Sequence, residues 1–115
     1  MPNDLRALKE VDRLLHEPSR AVIVAILAAV ESADFVFLQH ETNLSKGNLS
    51  THLSKLEQAG YIHIEKSFGG RPGSGLGRGN YPLTLCSLTD QGRAAFDHYR
   101  NQLLLFVKQT QREKE

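Results

Sequence analysis

Lys46, Asn48, Ser50, Thr51 and Lys55 fall within one short stretch of this 115-residue chain, beside Ser45 and Gly47. Together they form a set of side chains suited to nucleic acid. An asparagine amide can hold adenine through two hydrogen bonds, hydroxyls reach base edges or phosphates, and lysines pair with phosphates. No carboxylate interrupts the run from Ser45 to Leu56. Gly47 is informative because glycine weakens a helix, and close approach to a DNA backbone would explain its presence. Lys66, Arg71 and Arg78 follow, so five basic residues face two acidic ones between Ser45 and Tyr81, although the net charge is only +1. The positive charge is patterned rather than large.

Other chemistries find less support. Five histidines and thirteen carboxylates are present, but none cluster at a catalytic spacing, and the reading is not an enzyme. Gly73, Gly75 and Gly77 alternate as in a phosphate loop, yet no Lys-Ser or Lys-Thr follows and Tyr81-Pro82 leads into a strand. A single cysteine, Cys86, excludes an intrachain disulfide and a thiolate zinc site, and fits a reducing cytoplasm. Neither a metal nor a cofactor is expected. Met1 to Arg6 has no signal-peptide character, and the longest apolar run, Ala21 to Val30, is too short for a bilayer. The expectation is a cytoplasmic protein without a membrane partner.

The helix that must carry these side chains spans 45–59, with Ser45 as its cap and Gly60 as its end. Leu49, Leu53 and Leu56 recur at helical spacing and define its core side, with Gly47, Thr51, Ser54 and Gln58 nearly opposite. His52 falls at the edge of the buried face and reads as structural. A short helix over 37–41, stopped by Asn43, precedes a tight turn, so residues 35–60 read as a helix-turn-helix. Upstream, the spacing predicts one helix over 4–15 and a second, buried one over 18–30, followed by a brief strand at Phe35. Downstream, residues 61–88 read as two strands around the glycine-rich loop 69–80. Leu83 and Leu85 have opposite parity to Cys86 and Leu88, which calls for a bulge or a strand covered on both faces. Thr89 caps a last helix that runs to residue 111.

The run from Asn43 to Tyr61 resembles the recognition helix of small prokaryotic winged-helix transcriptional regulators related to the MarR and ArsR groups. The likeness extends to Asp12–Arg20 and to Ser87–Arg93. It implies one α+β, mostly α domain over 1–115: a winged helix-turn-helix with a two-stranded wing and flanking N- and C-terminal dimerisation helices. The paired cysteines that ArsR relatives use to sense metal are missing, and His98 with Asp97 lacks further ligands.

On this reading Ser45, Lys46, Gly47, Asn48, Ser50, Thr51 and Lys55 enter the major groove or meet phosphate, with Lys66, Arg71 and Arg78 of the wing on the backbone or minor groove. Leu5 and Leu8 of the first helix join Phe96, Tyr99, Leu103 and Phe106 of the last in a homodimer on an inverted repeat of double-stranded DNA. Leu104, Leu105 and Val107 add a second apolar face to that last helix. A small-molecule effector could lodge beside Phe96, Tyr99 and Phe106, but nothing in the sequence indicates one. The alternative is a winged-helix module for protein contact that does not read DNA specifically.

Overall fold

The computed structural model describes residues 3–68 and 82–111. The expected first helix over 4–15 is replaced by a 3-10 helix at Asn3–Glu10 and a following turn. Asp12 is the reason. One of its carboxylate oxygens accepts from the amides of Leu14 (2.9 Å) and Leu15 (3.3 Å), while the other accepts from the Tyr61 hydroxyl. An aspartate that satisfies the amides just ahead of it competes with helix. The turn then sinks Leu15 completely into the core.

Helix α1, Pro18–Ala29, begins where Glu17 accepts from the Arg20 amide at 2.8 Å and proline occupies the first turn. It buries Ile23, Val24 and Leu27, but its opposite face leaves Val22 about half exposed. Strand β1 is Ala33–Asp34, placed before Phe35 rather than on it, because Asp34 caps the next helix by accepting from the Phe37 amide at 2.7 Å. That helix, α2, covers Phe35–Thr42. At its polar end the Thr42 hydroxyl donates to the Leu38 carbonyl at 2.7 Å, and Asn43 closes the helix at φ 55°. Asparagine tolerates this left-handed backbone better than most residues.

Helix α3, Lys46–Gln58, follows after the Asn43-Leu44-Ser45 turn. The Ser45 hydroxyl accepts from the Asn48 amide at 3.1 Å, and Gly60 at φ +82° ends the helix with the Tyr61 amide bonded to the Leu56 carbonyl. Leu49, Leu53 and Leu56 are buried, and each such leucine stabilises the domain by about 2 kcal/mol.

Strands β2, Ile62–Phe68, and β3, Pro82–Leu88, pair antiparallel, and β3 also pairs with β1, so the sheet order is β1-β3-β2. The register is one-to-one from Ile62 opposite Leu88 to Phe68 opposite Pro82, which excludes a bulge. Ile64 opposite Cys86 and Ile62 opposite Leu88 therefore share the core face, while Leu83 and Leu85 sit half-buried on the other. Thr89 caps α4, Asp90–Thr110, which packs against the N-terminal 3-10 helix.

Candidate nucleic-acid interface

The leucine spacing of α3 leaves its other face to solvent. Ser45, Lys46, Gly47, Asn48, Ser50, Thr51, Ser54, Lys55 and Gln58 are all exposed. The Ser45 hydroxyl is engaged in its cap, and the Thr51 hydroxyl donates to the Gly47 carbonyl at 3.0 Å. Lys46, Asn48, Ser50 and Lys55 have no side-chain hydrogen bond among the described residues. Among the described residues, a Cβ built on Gly47 meets no atom within 4 Å beyond its own helix backbone and chain neighbours. Internal packing therefore does not require the glycine.

Between α3 and the sheet lies an open groove of about 700 Å³, with Lys46, Ser50 and Ser54 on one wall and Lys66 and Thr84 on the other. Leu53, Ile64 and Phe35 contribute apolar lining, and Asp34 and Glu57 temper its charge. The structure thus brings Lys66 to the same side as the start of α3. Thr84 lines this groove too, although the sequence did not single it out, while Ser54 and Gln58 lie exposed opposite the leucines as their spacing predicts. Arg71, Arg78 and the rest of the loop 69–80 lie outside the described residues.

Several contacts fix α3 against the rest of the chain. Its C-terminal end meets the start of α4: the Thr89 hydroxyl donates toward the carbonyls of Gly60 (2.6 Å) and Tyr61 (3.0 Å), the Thr89 amide bonds to Tyr61, and Gln91 reaches the Ala59 carbonyl at 3.3 Å. Burial, then the hydrogen bond and charge of Asp12, push the Tyr61 hydroxyl up to about 12. Burial, with smaller effects of Glu57 and Asp34, pushes the Cys86 thiol up to about 11, so it is not a ready thiolate. Among the described residues no cluster of histidine, cysteine and carboxylates has the makings of a metal site.

The residues expected at a dimer interface divide. Phe96 and Tyr99 are buried within the chain's own core, 8% and 6% exposed, because α4 lays them against the N-terminal segment. The Tyr99 hydroxyl lies 2.9 Å from His16 Nδ1, and the Arg100 guanidinium sits 5.8 Å from the Phe96 ring centre. In the single chain Phe96 and Tyr99 are both taken up by its own core. Leu8 and Leu103 are half-buried against the same core, and Phe106 is half-buried farther along the helix. The side chain of Leu5 lies outside the described ones. The exposed large apolar side chains of α4 are Leu104, Leu105 and Val107, at 58%, 42% and 49% exposure.

A helix-turn-helix followed by an antiparallel hairpin, with a bare polar face on its second helix, defines a winged-helix protein. The sequence pattern of the winged helix DNA-binding domain matches residues 20–107, and the chain belongs to that family. It is 31% identical over 96 residues to an uncharacterized protein of Methanocaldococcus jannaschii, covering 84% of this chain and 95% of that one. A transcriptional regulator homologue from Pyrococcus horikoshii superposes with a TM-score of 0.77 at 25% identity, over 90% of this chain and 96% of its own. A MarR family transcriptional regulator from Streptomyces coelicolor, solved in complex with DNA, shares the fold at TM-score 0.62 and 19% identity, over 85% of this chain and 62% of that one. An ArsR family regulator aligns over 97% of both chains at TM-score 0.55 and 16% identity.

Proposed function

We propose that this chain is a sequence-specific, DNA-binding transcriptional regulator that acts as a homodimer on an inverted repeat. The observation that supports it best is the bare face of α3, on which lysines, an asparagine and hydroxyls surround a glycine that no internal contact requires. In this reading α3 enters the major groove, Asn48 reads a base, and Lys46, Lys55 and Lys66 pair with phosphates. The loop 69–80, with Arg71 and Arg78, follows the backbone or minor groove. The chain binds rather than catalyses, works in the cytoplasm, and needs neither cofactor nor metal.

The second copy docks on the open side of α4. Leu104 and Val107, three residues apart on α4, form an apolar stripe that the single domain leaves uncovered, with Leu105 exposed farther round the helix, and a two-fold partner would cover that stripe with its own. This stripe, with the modest net charge, also favours the second reading, a winged-helix module that binds a different protein. Selection from a random duplex pool at two salt concentrations separates the two. An enriched palindrome, bound less tightly as salt rises, is the expected result. Binding without enrichment, or none at low salt, would favour the protein-contact module.

A further inference from the structure

The buried side of α3 carries one side chain that is not apolar. His52 is 19% exposed and lies beside Arg20 of α1, itself 12% exposed. Arg20 Nε donates to the Leu14 carbonyl at 2.7 Å, and its Nη1 lies 3.1 Å from His52 Nδ1 and 3.9 Å from Glu17 Oε2. Glu17 Oε2 caps α1 and stands 3.8 Å from the same imidazole nitrogen.

A guanidinium has donors only, so the nitrogen it meets must accept. As a hydrogen bond, the Arg20 contact requires Nδ1 to accept and the ring proton to sit on Nε2. Adding a proton to Nδ1 would turn the acceptor into a donor and set two cations against each other. Glu17 Oε2, 3.8 Å from Nδ1, favours that proton, and the Arg20 guanidinium, closer at 3.1 Å, opposes it. Glu17 and Arg20 are the charged groups that face His52 from α1. On its own helix Lys55 is exposed and adds a further positive charge.

We propose that Arg20 and neutral His52 are positioning residues for DNA reading: their hydrogen bond fixes α3 against α1, and proton uptake by His52 loosens it. This rests on the DNA-binding function proposed above. The contact sits one helical turn from both Asn48 and Lys55, so a shift of α3 at His52 displaces the side chains that would meet bases and phosphates.

The test measures affinity for a duplex recovered from the random pool, between about pH 8 and about pH 5.5, across the imidazole range. Wild type is compared with His52→Asn, whose amide oxygen stands at the position of Nδ1, accepts the Arg20 donation and does not titrate. General protonation strengthens DNA binding by both proteins, so their ratio is the readout. Equal affinities at the upper pH, with the wild type roughly fivefold weaker than the variant at the lower, are expected for loss of one hydrogen bond. Nitrogen-15 spectra of the imidazoles should show His52 Nδ1 unprotonated at the upper pH.

Parallel pH profiles, or a protonated Nδ1 at the upper pH, would overturn the positioning role alone. Failure of both proteins to bind any duplex would overturn the DNA-reading function and the positioning role with it.

Discussion

A Cβ atom placed on Gly92 would lie 2.1 Å from the carbonyl oxygen of Tyr61 and 2.9 Å from Leu88 Cδ1. The first turn of α4 thus rests directly on the backbone that leaves α3. Helix propensity alone would make Gly92→Ala stabilising. Contact with a backbone oxygen that is already bonded to Thr89 makes it destabilising instead, by about 3 kcal/mol. Urea unfolding of the two proteins decides the sign.

Gly47 is the opposite case. Open space above its Cα means that Gly47→Ala should stabilise the fold by about 0.5 to 1 kcal/mol. The same methyl would stand between α3 and a closely approaching duplex, and DNA affinity should fall about tenfold, or about 1.4 kcal/mol. Thermal unfolding and anisotropy titration on one preparation test both halves. Unchanged affinity would remove close backbone approach as the reason for the glycine.

Tyr61 makes stability sensitive to alkali. Its ionisation is raised from about 10 in an unfolded chain to about 12 in the fold, so the native state holds this proton more tightly. The stability that follows is complete below about pH 10 and is lost as pH rises toward about 12. Cys86 adds a similar loss between about 9 and about 11. Tyr61→Phe should reduce the loss above about pH 10 while leaving in place the parts due to Cys86 and to Tyr99, whose hydroxyl burial also pushes up, as followed by circular dichroism.

Leu104 and Val107 should matter to assembly but not to folding. Both are about half exposed in the single chain, so Leu104→Ser with Val107→Ser should change the unfolding midpoint little. Covered by a second copy, the pair should contribute about 3 kcal/mol per subunit, enough to weaken a dimer more than a hundredfold. Sedimentation velocity over a concentration series reads this directly. A dimer that survives the double substitution would place the interface elsewhere.

The helix-turn-helix was legible in the sequence because its signals are local. Ser45 caps three residues ahead, Asn43 and Gly60 take left-handed backbone where each helix must stop, and three leucines mark the buried face. Thr89 announces α4 in the same way. The N-terminal segment was not legible, since its leucine spacing predicts α-helix while Asp12 is claimed by Tyr61, 49 residues away. Arg20 and His52, separated by 32 residues, gave no sequence signal of their contact. Phe96 and Tyr99 have the spacing of an interface stripe, and only the packing of α4 on the N-terminal segment turns them into core. Of the candidate DNA-facing residues, those on α3 and Lys66 share one exposed side, while the loop arginines lie outside the described residues.

Thr89 serves at once as the cap of α4 and as a brace on Gly60 and Tyr61, the residues just past α3, so the end of one helix is held directly against the start of the other. In the proposed dimer this makes α4 a gauge. Its 21 residues form a rod about 31 Å long, butted against the reading helix at one end and against the second copy near the other. Operator spacing would then be measured by a count of residues rather than chosen by a flexible arm, and inserting one residue into α4 would rotate the two reading heads out of phase by about 100°.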